Sequence, residues 1–295
     1  MMANLKELRN RISSVASTQK ITRAMQMVAA SKLRKAQDAV ESKRPYSDKL
    51  FQVVGNLSRE MEGDDNAPKL LVGNGKSQRY LFVIATSERG LCGGFNSSIT
   101  RLASQKAREL INAGKEVEFI CVGKKGKASL SSEFGDKIID FFDFSEVRNL
   151  SFVQGDQIAQ KIITLFEEDK FDICHLYFSK FESVLTQIPT EQVIIPCNLQ
   201  VDDNEDSPSQ EACYEYEPGE VEILSDLLPK NLSIQVFSAL LENFASEQGA
   251  RMTAMDNATR NADEMIDKLT ITYNRSRQAT ITSELIEIIS GAEAL

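Results

Sequence analysis

The chain has no tryptophan and one histidine in 295 residues. That histidine, His175, lies inside the strand-like run FDICHLYF. A lone imidazole there fits a satisfied structural residue better than a base or ligand, so neither a His-rich metal site nor a Ser–His–acid triad is indicated. Cysteine is also scarce: Cys92, Cys121, Cys174, Cys197 and Cys213, an odd number without a CxxC pair. Three of them sit in apolar runs, which predicts buried reduced thiols and fits a reducing compartment rather than a disulfide framework. No apolar run reaches the ~18 residues that would span a bilayer. The start, MMANLKELRNRISS, carries charges throughout and lacks the apolar segment of a secretory signal. Its pattern continues past residue 30, which reads as a mature helix rather than a transit peptide. The seven prolines end at Pro229, leaving a long stretch that only Gly249 and Gly291 interrupt.

What is present is unevenly distributed charge. Residues 1–50 hold eleven Lys/Arg against four Asp/Glu, an excess of +7 in a chain of net charge −9. Residues 202–220 carry eight acids and no base. A basic arm on an acidic protein calls for an acidic partner: nucleic acid, a membrane surface or another protein.

Residues 3–58 read as one long helix, with no glycine before Gly55 and only Pro45, where a kink or restart is expected. Leu5, Leu8, Ile12 and Val15 step at heptad spacing. After the polar STQK, Ile21, Met25 and Val28 resume in a shifted phase, which predicts a seam with one slip. Residues 61–78 look like a linker. From Val221 the chain is helical again, with Pro229 fitting a first turn. Leu241, Phe244, Met252, Met255, Ala258, Ala262, Met265, Leu269 and Tyr273 keep a loose heptad rhythm, and Ile281, Leu285, Ile288, Ala292 and Leu295 a strict one. Helices of about 55 and 60 residues would be roughly 80–90 Å long at 1.5 Å per residue. The simplest arrangement pairs them antiparallel.

Between them, strand-like RYLFVIAT, EVEFICVG, KIIDFFDF, FDICHLYFSKF and a last run around Pro189 alternate with helical stretches. This predicts a largely parallel open sheet, with Pro189 marking an edge strand or turn. The expected class is α/β: a long antiparallel two-helix coiled coil from the terminal helices plus a Rossmann-like open α/β domain. The domain limits read as 1–58 for the first helix, 59–78 for the linker, 79–219 for the α/β domain and 220–295 for the last helix.

TSERGLCGGFNSS, at Thr86–Ser98, places three glycines after a strand and before a helix, where many α/β proteins hold phosphate. The spacing is GxxGG, which meets neither GxGxxG nor GxxxxGK[ST]. GKKGKAS at Gly123–Ser129 lacks the spacing too. Tight strand-to-helix turns explain these glycines, and no catalytic set, cofactor or metal is expected.

Three segments together resemble the gamma subunit of F-type ATP synthases: RISSVASTQKITRAMQMVAASKLRKAQ, ERGLCGGFN, and ENFASEQGARMTAMDNATRNADEMIDKLTITYNRSRQATITSELIEIISGAEAL. The resemblance covers essentially the whole chain. It implies a non-catalytic rotor shaft inside a hexamer of three alpha and three beta subunits, with the epsilon subunit and the membrane ring of c subunits below. It implies beta-subunit contacts at Arg23, Met25, Lys32 and Arg34, and at Arg277, Gln278 and Thr282 of SRQATIT. The end, Ile281, Leu285, Ile286, Ile288, Ile289 and Leu295, would turn in a hydrophobic sleeve. YEYEP makes Tyr214 and Glu217 candidate ring contacts. The implied location is peripheral, on the cytoplasmic face of a bacterial inner membrane, with the mitochondrial matrix face as the alternative. No closely spaced cysteine pair is present, so thiol regulation is not implied, and the role of the acidic 202–212 stretch is left open. The rival readings are a coiled-coil adaptor binding nucleic acid through its basic helix, which would lose affinity steeply with salt, and a nucleotide-binding α/β enzyme.

Overall fold

The computed structural model describes residues 5–61, 67–147, 150–197 and 219–293. Helix α1 runs Leu5–Glu60, a single-turn α2 Lys69–Val72, strand β1 Arg79–Ala85, α3 Phe95–Asn112, β2 Glu116–Val122 and α4 Lys124–Phe134. Strand β3 (Ile138–Phe142), α5 (Phe152–Glu167), β4 (Ile173–Phe181), β5 (Gln187–Ile195) and α6 (Glu220–Glu293) follow.

The sheet order is β3-β2-β1-β4-β5, parallel except for β5, which folds back antiparallel on β4. Side-chain alternation along β1 sorts its residues to two faces. Leu81, Val83 and Ala85 pack with α5 and with Leu232, Val236, Ala239 and Leu240 of α6. Tyr80, Phe82 and Ile84 pack with α3 and α4. A strand buried on both faces must be apolar at every position, which is why RYLFVIA does not alternate.

The packing against α6 is close. A Cβ added to Gly155 of α5 would lie 2.5 Å from Phe237 Cβ. Beyond Tyr177, β4 has run past its pairing with β1. Side chains of α6 take over there: Ser179 N–H donates to Asn243 Oδ1 at 3.1 Å, and Ser246 Oγ donates to Ser179 O at 2.9 Å. Ser179 stands opposite Pro189 in the ladder and draws both bonds from α6, so the missing proline N–H costs it nothing.

α1 does not restart at Pro45 but runs unbroken across it, and the expectation for Pro229 is corrected. Pro229 lies inside α6, whose first residue is Glu220, and not in its first turn. An interior proline costs about 3 kcal/mol. Buried Leu224, Leu228 and Leu232 anchor the turns on both sides of Pro229 and offset that cost. Part of the expected linker is also packed: Leu70 and Leu71 of α2 join Val54, Leu57, Leu224 and Leu228 in a small cluster, and Cys197 N–H bonds Leu70 O at 3.0 Å.

Compactness divides the chain inside its two long helices. One unit comprises Met1–Ser31 with Arg251–Leu295, the other Lys32–Ala250. Residues 220–250 belong with the sheet because one side of that helix stretch is core.

Candidate functional site: the paired helices and the closed strand ends

The order of the strands reverses between β1 and β4, so their carboxyl ends are where an open sheet would take a ligand. Here that edge is occupied by the protein's own groups. The Thr86 hydroxyl donates to Val122 O at 3.0 Å and accepts from Gly126 N–H at 2.8 Å. A Cβ at Gly123 would sit 2.4 Å from Thr86 O, and one at Gly126 2.7 Å from Thr86 Oγ1. The Glu88 carboxylate accepts from Lys124 N–H at 3.1 Å and from Phe144 N–H at 2.8 Å. It therefore caps the start of α4, the position a phosphate would need. Ser87 and Asn96 tie the loop to α3, with Ser87 N–H donating to Asn96 Oδ1 at 3.0 Å. Gly93 adopts a left-handed φ of 58°, whereas a Cβ at Gly90 or Gly94 would meet nothing closer than 3.6 Å. The glycines serve turns and close packing.

His175 is likewise satisfied. Its Nδ1 lies 2.6 Å from Glu191 Oε1, and Tyr177 OH donates to the same oxygen at 3.1 Å. The ring packs against Tyr80 and Phe82. Burial pushes its pKa below the usual value, against the pull of Glu191. Cys92, Cys121, Cys174 and Cys197 are buried and joined by no disulfide to one another, and desolvation raises Cys121 and Cys197 to about 11. Cys213 lies outside the described residues. Among the described residues no three His, Cys, Asp or Glu side chains gather as a metal site.

The other unit is built from α1 and α6. Gln19 Nε2 donates to Asp263 Oδ1, Thr22 Oγ1 lies 2.7 Å from Thr259 Oγ1, and Gln26 Nε2 donates to Asp256 Oδ1 at 3.0 Å. Numbers rise on one helix as they fall on the other, so the pair is antiparallel. The covered stripe of α1 here is Leu8, Ile12, Val15, Gln19, Thr22, Gln26 and Ala29, each four or three residues from the last. On α6 it is Met255, Thr259, Ala262, Ile266, Leu269, Tyr273, Ser276 and Thr280. Both are unbroken heptad seams.

This corrects the expected slip after Val15. The seam keeps its phase and turns polar, and the apolar residues that suggested a new phase point outward: Ile21 is 59% exposed and Val28 55%. Met265 is exposed too, while Ile266 holds the seam position.

Over its described residues, Ile281 to Ala292, the seam expected at Ile281–Leu295 is also corrected. From Gln19 and Asp263, the described residues of α1 count back to Leu5 level with Arg277. Beyond that level no described residue of α1 stands opposite α6. Ile281, Leu285, Ile286, Ile288 and Ile289 are all exposed. At about 100° per residue they fan across about 160° of the helix. They do not surround it, since Glu284, Glu287 and Ser290 take the other side. The stripe that meets α1 ends at Thr280 and would continue through Ser283 and Glu287, so the apolar fan faces away from it.

The remaining expected positions do not form one site. Arg23, Arg277, Gln278 and Thr282 are exposed and Met25 is half-buried. In the observed register Arg23 is level with Thr259, about 27 Å along the helix from Arg277. Lys32 and Arg34 are exposed on the part of α1 that belongs to the unit holding the sheet. Tyr214, Glu217 and Leu295 lie outside the described residues. Met27 and Ile271 are exposed apolar residues as well, alongside Ile21, Val28 and Met265, which were expected on the seam. Counting heptads straight through Gln19, Thr22 and Gln26 would have found the α1 members.

A family model described as ATP synthase matches residues 4–295. The ATP synthase gamma chains of Mesorhizobium japonicum and Brucella ovis are each 57% identical over 294 residues, and that of Xanthobacter autotrophicus 56% over 295, with the whole of each chain covered. Among solved structures, a chain of the Tetrahymena thermophila mitochondrial ATP synthase central stalk and c-ring matches with a TM-score of 0.59 and 27% identity, over 81% of this chain and 99% of that one. A chain of the Euglena gracilis mitochondrial ATP synthase rotor shares the fold, with a TM-score of 0.65 and 18% identity over 94% and 98%. An antiparallel pair of long helices, together with a mixed sheet whose strand ends are closed by the protein's own groups, defines a protein that combines a two-helix coiled coil with an α/β domain. The chain belongs to the ATP synthase gamma chain family.

Proposed function

We propose that the chain is the central-stalk rotor of an F-type ATP synthase, coupling proton-driven rotation of the c-ring to ATP synthesis and hydrolysis on the beta subunits. The observation that carries this is the antiparallel helix pair ending in an exposed apolar segment, in a chain 57% identical to named gamma chains over its full length. A helix that offers Ile281, Leu285, Ile286, Ile288 and Ile289 to solvent calls for an enclosing partner. A hexamer of three alpha and three beta subunits supplies a sleeve, which Leu295 would share. The tip's apolar residues lie on one side, so the axle is lopsided, and rotation would press unequally on the three beta subunits.

In this reading the chain itself performs no catalysis. Arg277, Gln278 and Thr282 meet one level of the beta subunits, and Arg23, Met25, Lys32 and Arg34 another. Arg suits such contacts because its planar fork bonds carboxylates in pairs. Tyr214 and Glu217 face the c-ring, and the epsilon subunit lies beside the α/β unit. Among the described residues no helix is long and apolar enough to cross a membrane. The reading places the chain peripherally, at the cytoplasmic face of a bacterial inner membrane. Mass identification of the subunits that co-purify with the tagged chain tests it: alpha, beta, epsilon and c subunits are expected, and a chain recovered alone would overturn it.

A further inference from the structure

We infer that the polar middle of the helix pair is a register lock, which fixes how far α6 is advanced along α1. An antiparallel seam of Leu, Ile, Val and Ala tolerates a slip of one heptad, because each slipped position again meets an apolar side chain. Here the central three layers are not interchangeable with their neighbours. Gln19 donates to Asp263, Gln26 donates to Asp256 at 3.0 Å, and Thr22 meets Thr259 at 2.7 Å between them. Arg260 holds the second oxygen of Asp256 at 2.6 Å, which aims the first at Gln26. A slip of seven residues one way brings Gln26 to Asp263 but sets Gln19 against Thr270 and Thr22 against Ile266. The other way brings Gln19 to Asp256 but leaves Asp263 without its glutamine and Thr22 against Met252. Either way one glutamine–aspartate bond is lost, and half-buried polar groups left without partners are costly. The Thr22 hydroxyl keeps its bond to Gln19 O at 3.0 Å within α1, so the two glutamine–aspartate layers carry the lock. The unslipped register alone satisfies both. Polar residues at these positions weaken the pair relative to leucine, and what they supply in return is uniqueness. The lock depends only on the pairing geometry and stands apart from the rotor reading. Within that reading it holds Arg277 and the apolar tip at a constant height.

Disulfide trapping in the full chain tests this. Val15 and Ile266 are the next seam residues beyond Gln19 and Asp263, so the pair V15C/I266C reports the observed register. The pairs V15C/Y273C and I12C/A262C report slips of one heptad in either direction. With the polar layers intact, only the first pair should cross-link. In a background of Gln19→Leu, Gln26→Leu, Asp256→Leu and Asp263→Leu, a slipped pair should rise to at least about one-tenth of the product, as a register preference under tenfold requires. Should that background fail to fold, Asp263→Leu alone removes one bond from an otherwise native seam and should show the slipped product. The exchange Gln19→Asp with Asp263→Gln reverses donor and acceptor and should keep the single register. Slipped product in the exchange, or its absence from both leucine backgrounds, overturns the proposal.

Discussion

Gly155 of α5 and Phe237 of α6 approach so closely that the glycine has no room for a side chain: an added Cβ would lie 2.5 Å from Phe237 Cβ and 2.9 Å from its Cα. The obstruction is partly backbone, so a rotamer change cannot relieve it. Gly155→Ala should therefore push α5 away from α6 and strain the core shared by Ile158, Ile162, Val236 and Leu240. Overpacking of this kind costs about 1–3 kcal/mol. Urea unfolding followed by circular dichroism should show a lower midpoint with little change in slope.

Asp172 organises the entry to β1 and β4. Its carboxylate accepts from Arg79 N–H at 2.9 Å, Gln78 N–H at 2.8 Å, Asn74 Nδ2 at 2.8 Å and the Arg79 guanidinium at 3.0 Å. Burial opposes ionisation, but these donors outweigh it and bring the pKa down to about 2. The folded value lies below the unfolded one, near 3.8. This stabilisation is therefore complete above pH ~4 and is lost as pH falls towards 2. Asp172→Asn should lower stability at neutral pH by about 1.5–3 kcal/mol, the range for bonds to a charged group. It should also flatten the acid limb of the stability–pH curve below pH 4, measurable by denaturant titration at each pH.

His175 gives a slope of the same sign in a higher window. Burial lowers its folded pKa below the usual 6.5. The unfolded chain therefore takes up the proton first, and stability should decline as pH falls below ~6.5. His175→Gln keeps a side-chain donor for Glu191 and cannot titrate. Between pH 5 and 7 its unfolding free energy should change less with pH than that of the native chain.

Arg277 and Gln278 are exposed one turn before the apolar tip and, in the proposed function, meet the beta subunits. Replacing both by Ala should lower ATP hydrolysis and synthesis by the assembled complex about tenfold, which corresponds to ~1.4 kcal/mol of lost coupling. Nucleotide binding to the beta subunits should be unchanged. Steady-state turnover together with equilibrium nucleotide titration checks this, and unchanged turnover would remove the pair from the mechanism.

Ile288 and Ile289 should matter to assembly and not to folding. Both are exposed in the chain by itself, Ile288 by 72%. Ile288→Ser with Ile289→Ser should leave the melting temperature of the free chain within about 1 °C, as surface changes usually do. Recovery of the assembled ATPase on size exclusion should fall. A change in the free chain's stability would place these residues inside its own core.

Much of the architecture was written locally. The apolar run at Arg79–Ala85, the amphipathic stretch closing at Ala113–Gly114 and the proline-free tail each specify their element through nearest neighbours, because backbone periodicity is a local property. The glycine loop was also legible, since its spacing already failed the phosphate-binding patterns. Arg277 and Gln278 were legible only through resemblance, because an exposed arginine on a helix carries no local mark of its partner.

Tertiary structure decided matters that depend on what stands opposite. The phase of the α1 seam could not be read where it turned polar: Gln19, Thr22 and Gln26 look like surface residues until Asp263, Thr259 and Asp256 face them. Pro229 looked like a helix start because sequence shows the missing N–H but not the buried leucines that hold the helix on both sides. Residues 220–250 look like coiled coil, yet Leu232, Val236 and Leu240 belong to the core against the sheet. Helical periodicity tells which side of a helix is apolar, and only the fold determines whether a helix, a sheet or another subunit covers that side.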